Sequence, residues 1–259
     1  MYLLSLAALF LNAFWRVDEF TSEVVRDWTL DNFRTIVESP SYRAIALRTI
    51  GIASAVTVTD ALLAFPLAYF MTRMASPRLR AALFVCVLVP LWASYLARVY
   101  SWRLILSEEG VLNWTLGKLG LPTIGVGYSL WAMWIVFSYI WLPFMILPVL
   151  AAIERIPDSL LEASRDLGAR GLRTTASIVV PLALPGVVAG SIFTFSLTLG
   201  DFITPQLVGG GEQLIGNVVF SNVGIAGNVP FAAAYATIPV AVMAIYLLLA
   251  RRTGAFEAL

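Results

Sequence analysis

The chain contains no histidine and one cysteine, and only 13% of its 259 residues are charged. Without histidine it lacks the commonest proton shuttle and the commonest transition-metal ligand. Acid–base catalysis would fall to carboxylates, and these are scattered along the sequence rather than clustered. Cys86 lies in an apolar run, which leaves no internal disulfide framework and no thiolate metal site. The phosphate-cradling pattern G-x-x-x-x-G-K-[ST] does not occur, so ATP hydrolysis of that type would have to come from another chain. A formal net charge of +1 gives no reason to expect nucleic acid or another large polyanion as partner.

What the chain has is apolar length. Hydrophobic residues make up 59% of it, and the charged fraction stands well below the rough quarter that soluble domains carry. The apolar residues fall in long runs, several reaching the roughly 20 residues a helix needs to cross a bilayer. A membrane β-barrel would instead show segments of about ten residues with alternating polarity, and no such dyad runs through the sequence. The fold class predicted is all-α and integral to the membrane.

Six membrane segments are predicted, at about 1–14, 44–72, 81–106, 129–152, 178–200 and 231–250, forming a single domain over residues 1–259. The first, MYLLSLAALFLNAF, is too short to span comfortably: either the chain begins late or part of that helix is missing. A signal peptide is the rival reading, but neither a basic leader nor a clear small-residue cleavage site is present. The polar stretch RVDEFTSEVVRDWTLDNFRTIVESPSYR that follows is long enough for a short amphipathic surface helix, expected outside the cell.

Arginines mark the loops. Arg73, Arg78 and Arg80 follow segment two, Arg155, Arg165, Arg170 and Arg173 follow segment four, and Arg251 and Arg252 form the tail. These three groups are expected on one side, the cytoplasmic one by the positive-inside rule, although the opposite side carries nearly as many basic residues, largely matched by Asp and Glu. Pro66, Pro90, Pro143, Pro148, Pro185 and Pro239 fall inside segments. Each removes a backbone donor, which a membrane helix tolerates where neighbours or a water-filled cavity satisfy the freed carbonyl. Irregular packing without any path accounts for each proline equally well.

After segment four the chain reads IPDSLLEASRDLGARGLRTTASIVVPLALPG. Ser159 and Glu162 have capping-box spacing, so a helix is predicted to begin near Leu160 behind Pro157, and Gly168 offers a left-handed stop. Leu160, Ala163, Ser164 and Leu167 recur at helical spacing, giving a short amphipathic helix in a loop between two spans. Such a helix calls for a partner groove.

This stretch resembles the EAA loop of ABC importer permeases, in which Glu-Ala-Ala is followed after three residues by Gly and after nine more by Ile-x-Leu-Pro. Here Glu162-Ala163-Ser164, Gly168 and Ile178-Val179-Val180-Pro181 occupy those places, with Ser164 for Ala and Val180 for Leu as the two departures. The resemblance implies a six-helix permease fold with a cytoplasmic coupling loop at about 153–177. That loop would dock in a cleft of the ATPase subunit through Ser159, Glu162, Ala163, Ser164, Leu167 and Gly168. A capping role for Glu162 and a plain helix stop at Gly168 are both compatible with docking. Arg165 and Arg170 serve either to touch the ATPase or merely to hold the loop on the cytoplasmic side.

PLAYFMTR, VPLWASYLARVYSWRLILSEEGVLN and LGDFITPQLVGG are similar to the permease subunits of spermidine/putrescine importers, while permeases for ferric iron, thiamine or phosphonates share parts of the likeness. The resemblance implies a multi-pass protein of the bacterial inner membrane. It implies as partners two copies of an ATPase holding ATP and magnesium, a second related permease and an external binding protein, with no cofactor in this chain. Polyamines are extended polycations, and a path for them needs carboxylates and aromatic faces. Asp201, just before Pro205 at the end of segment five, is the leading candidate, its rival role being to pair with a neighbouring helix. Asp60 lies within segment two, where Thr57 and Thr59 offer local partners.

Tyr100, Trp102, Trp131, Trp134, Tyr139 and Trp141 form the aromatic set, by default an interfacial belt. Tyr100 and Trp102, beside Arg98 and Arg103, are alternatively placed to meet substrate or a loaded binding protein, and Glu108 and Glu109 read equally as a solvated rim. Two other classes compete. A membrane enzyme would need a catalytic constellation, and a secondary transporter would show inverted repeats and have no use for the EAA-like loop.

Overall fold

The computed structural model describes residues 2–18, 21 and 23–251; Glu19, Phe20, Ser22 and Arg252 lie outside the described residues. In chain order, α1 (Tyr2–Asn12) leads into a two-residue hairpin, β1 (Arg16–Val17) and β2 (Val24–Val25), with Arg16 opposite Val25. The expected surface helix follows as α2 (Asp31–Glu38), which opens on Asp31, a favourable charge at a helix N-terminus, and carries an Arg34–Glu38 pair one turn apart.

Next come α3 (Pro40–Arg73), α4 (Pro77–Trp92), α5 (Tyr95–Leu106), α6 (Val111–Lys118) and α7 (Leu130–Glu154). The loop beyond α7 contains α8 (Asp158–Asp166) and α9 (Gly171–Thr174), and a π turn over Thr175–Val179 joins α9 to α10 (Val180–Gly200). Then α11 (Ile203–Val208), α12 (Ile215–Gly224) and α13 (Val229–Ala250) complete the described chain.

Among the described residues, four stretches are long and apolar enough to span: α3, α7, Gly171–Gly200 and α13. The predicted segment 81–106 is not one straight helix. It divides into α4 and α5 at Ala93–Ser94, with a turn of 98° between Pro77–Trp92 and Tyr95–Lys118, and the pair makes a fifth span only if taken as broken. Pro90, near the end of α4, is the nearby residue that cannot supply the helical N–H. The first predicted segment is an 11-residue helix, below spanning length among the described residues. Pro66, Pro143, Pro148, Pro185 and Pro239 are all carried inside continuous helices.

Two compact units are recognisable. One comprises Met1–Ala53, Val99–Val136 and Thr198–Ala244, the other Ser54–Arg98, Phe137–Leu197 and Ile245–Leu259. The core of the first is built on Ile36, Ile215, Val218, Phe231 and Tyr235. There the Thr49 hydroxyl donates to the Ile45 carbonyl at 2.8 Å and accepts from the Ile215 amide at 3.0 Å, while the Tyr235 hydroxyl donates to the Tyr42 carbonyl at 2.7 Å. Buried away from water, these polar groups are thus satisfied within the protein.

The second unit packs Ala64, Ala68 and Met71 of α3 against Met145, Ile146, Val149 and Ile153 of α7 and against Val179 and Ala183. Here α10 crosses α7 at backbone contact distance. A Cβ on Gly186 would lie 2.4 Å from the Ala152 Cβ and 2.6 Å from the Pro148 carbonyl oxygen, and one on Gly190 would lie 2.7 Å from the Met145 sulfur. Gly186 and Gly190 are one turn apart, the small-xxx-small spacing that lets membrane helices approach closely.

Candidate functional site

The loop after α7 folds as a short helix held at both ends. Its start departs from the capping-box prediction: α8 begins at Asp158 with Pro157 in the cap position, and no side chain caps it. Ser159 and Glu162 are therefore already inside the helix, one turn apart on it rather than bracketing its entry. Pro157, in an extended conformation, starts the helix one residue ahead of Ser159 and so takes the cap position from it. The end of α8 does follow the sequence. Gly168 adopts φ +77°, its amide donates to the Arg165 carbonyl at 2.8 Å, and the Ala169 amide donates to the Ser164 carbonyl at 3.0 Å. These are the two bonds of a Schellman stop, which a residue with a Cβ would strain.

The predicted apolar face is divided. Leu161 and Ser164 turn into the unit, Leu161 joining the core around Ile153 and the Ser164 hydroxyl lying 2.9 Å from that of Thr174. Leu160, Glu162, Ala163 and Leu167 face outward, and Leu167 and Leu172 are each 89% exposed. Covering such a leucine is worth about 1.5–3 kcal/mol. The outward side of α8 thus presents an exposed row of apolar side chains beside the carboxylate of Glu162, on a helix held at both ends.

Two ion pairs tie this region to the end of α3 and the start of α4. Arg80 pairs with Glu154, and Arg73 pairs with Asp158. Hence the Arg73–Arg80 loop and the Arg155–Arg173 loop share one end of this unit, as their charge pattern predicts. Arg80 and Glu154 also border a cavity of about 610 Å³ lined by Met71, Thr72, Phe84 and Leu150.

The predicted path residues fall in both units, Asp201, Tyr100 and Trp102 in the first and Asp60 in the second. One oxygen of the Asp201 carboxylate accepts from the amides of Ile203 and Thr204, at 2.8 and 2.9 Å, and so caps the first turn of α11. Gly216 approaches the same point, since a Cβ there would lie 2.5 Å from the Asp201 carbonyl oxygen. Asp60 is fully buried in the second unit, and neither of its oxygens has a hydrogen-bond partner. The expected local satisfaction by Thr57 does not occur, because the Thr57 hydroxyl faces that of Thr194 on α10 at 3.4 Å. The Ser138 hydroxyl stands by Asp60 outside hydrogen-bonding geometry.

Tyr100 is exposed and Trp102 half-buried on α5, and the Arg103 guanidinium donates to the Tyr128 hydroxyl at 3.1 Å. Trp131 and Trp134 meet edge to face at 5.7 Å, whereas Trp141 is buried and stacks on Tyr95 at 5.9 Å, so it belongs to the interior rather than to a belt. Glu108 and Glu109 are exposed.

The sequence profile of the family described as "Binding-protein-dependent transport system inner membrane component" matches residues 64–254, a stretch that includes the whole of the α8 loop. The chain belongs to this family. It is therefore a membrane transport component, not an enzyme. Among its relatives, this transport component is 47% identical over 272 aligned residues to the inner membrane ABC transporter permease protein YdcU of Escherichia coli, covering 100% of this chain and 87% of that one. It is 35% identical to the spermidine/putrescine transport system permease protein PotB of Escherichia coli, over 85% of this chain and 81% of that one.

A subunit of a bacterial alginate ABC transporter, solved in complex with an alginate pentasaccharide-bound periplasmic protein, superposes with a TM-score of 0.75 at 17% identity, over 99% of this chain and 88% of that one. At that identity the likeness speaks to the fold, which is that of an ABC transporter permease.

Arg73, Asp158 and Thr174 are the residues of this loop system that sequence reasoning passed over. In the sequence Arg73 reads only as a topology charge, and Asp158 and Thr174 carry no role. The one available signal was Ser164 itself: a hydroxyl where the EAA pattern has Ala asks for a buried partner.

Proposed function

We propose that this transport component imports polyamines across the bacterial inner membrane, as one of two related permeases served by two ATPase copies and an external binding protein. The observation that carries the substrate is the 35% identity to spermidine/putrescine permeases over 85% of the chain. ATP and magnesium would be held by the ATPases. The outward face of α8, with Leu160, Glu162, Ala163 and Leu167, would sit in the ATPase cleft on the cytoplasmic side, and Gly168 would fix the angle at which that face is presented. ATPase closure would then move the spans between outward-open and inward-open arrangements.

Asp201 remains the acid best placed for an ammonium group, being only partly buried, and Tyr100 and Trp102 offer aromatic surface. Asp60 is shut inside its own unit and reaches a substrate only in a state where α3 has moved.

The test is uptake of labelled putrescine and spermidine in cells lacking the chain, with and without its restoration and with ATP depleted. Uptake that returns with the chain and requires ATP establishes the substrate class. Restoration without any polyamine uptake leaves an importer of another solute, with ferric iron, thiamine and phosphonates next in line, and the nearer identity to a permease whose name carries no substrate keeps that outcome in view.

A further inference from the structure

Arg73 is the last residue of α3, and its guanidinium reaches three places at once. One terminal nitrogen pairs with the Asp158 carboxylate at the first position of α8. The other donates to the carbonyls of Ile153, at 2.9 Å, and Ile156, at 2.7 Å. Those two carbonyls belong to the end of α7 and the short link beyond it, where the regular helical bonds run out and the Ile153 carbonyl keeps only a 3.3 Å bond from the Ile156 amide. The side chain is only 15% exposed, and its Nε is buried without a partner. A planar, permanently charged fork is suited to this work; a lysine ammonium offers a single point of charge.

The link from α7 to α8 is three residues, Arg155–Pro157, and no side chain caps the start of α8. Beside the burial of Ile156 and Leu161 in the core, the polar anchor of the entry of α8 is Asp158 held by Arg73. At the other end, Ser164 and Thr174 and the Gly168 stop secure the exit.

We infer that Arg73 is a positioning residue that latches the docking helix α8 to the ends of α3 and α7, so that a push on α8 moves both spans rather than bending the link. A push delivered to a helix on a slack three-residue link would be taken up by that link. On the other side of α8 the chain passes through α9 and the π turn Thr175–Val179 into α10. The inference rests on the reading of α8 as the ATPase dock. It assigns to a residue outside the EAA-like stretch the task of passing the motion on.

The test uses the whole transporter, with its ATPases, second permease and binding protein, reconstituted in proteoliposomes. The readout is polyamine moved per ATP hydrolysed, together with the amount of ATPase retained through purification. Arg73→Gln should keep the ATPase bound and lower the transport-to-hydrolysis ratio by about tenfold, within the range that loss of a coupling contact gives. Arg73→Lys, which can keep the Asp158 pair, should recover part of the ratio.

Asp158→Asn should lower the ratio on its own and add nothing to Arg73→Gln. It also decides the matter should Arg73→Gln fail to assemble, since it leaves the carbonyl bonds of Arg73 in place. An unchanged ratio in the assembled Arg73→Gln complex, or effects of Arg73→Gln and Asp158→Asn that multiply, overturns the latch. Leu167→Asp in the same preparation separates the underlying reading: it should shed the ATPase, and retention of the ATPase would mean that α8 is not the dock, whatever Arg73 does.

Discussion

The hydroxyls of Ser164 and Thr174 lie 2.9 Å apart, both buried, where α8 turns back against α9. Removing one partner strands the other away from water at a cost of about 1–3 kcal/mol, whereas replacing both with apolar groups of like shape is nearly neutral. Ser164→Ala should accordingly lower the thermal midpoint of the purified permease in detergent, and Ser164→Ala with Thr174→Val should restore most of the loss. A double variant no more stable than the single one would rule out the hydroxyl pair as the tether.

Close packing of α10 on α7 depends on Gly186. Its absent Cβ would meet the Ala152 Cβ and the Pro148 carbonyl, neither of which can swing aside like the tip of a flexible side chain. Gly186→Val is expected to destabilise by at least the roughly 1–3 kcal/mol of an overpacked core, seen as a lower melting midpoint and less protein recovered from the membrane. Gly117→Ala, with open space around it, is the control and should be silent.

Glu162 is exposed on the outward face of α8, the face proposed to meet the ATPase, and makes no contribution to the start of that helix. Glu162→Ala should leave membrane insertion and melting unchanged while transport falls in intact cells. Normal uptake by this variant would remove Glu162 from coupling.

At Asp201, charge and capping can be separated. Asparagine keeps an oxygen able to accept from the Ile203 and Thr204 amides, and alanine does not. If the carboxylate meets polycations, Asp201→Asn and Asp201→Ala should both weaken polyamine uptake across a substrate titration. If the carboxylate only caps α11, the loss should appear in Asp201→Ala alone, together with a stability cost of about 0.5–2 kcal/mol.

The end of α8 is legible in the sequence because its signal is local. Gly168 stops α8 since only a residue without a Cβ takes φ +77° cheaply, and that constraint is written in one position. The start of α8 was misread for the opposite reason: Ser159 and Glu162 satisfy a local rule, but Pro157 imposes the extended cap two residues earlier. Asp60 shows the same limit. Thr57 is one turn away in sequence, yet it faces Thr194, 137 residues further along the chain.

The sequence by itself determined that this is a helical membrane protein of the ABC permease kind, because apolar run length and the Glu162-to-Pro181 spacing are properties of contiguous residues. Only the tertiary structure decided which face of α8 is free, that Ser164 needs Thr174, and that Arg73 holds Asp158. Each of those depends on which groups distant in sequence become neighbours once the helices pack, and burial is what turns a nearby polar group from an option into a requirement.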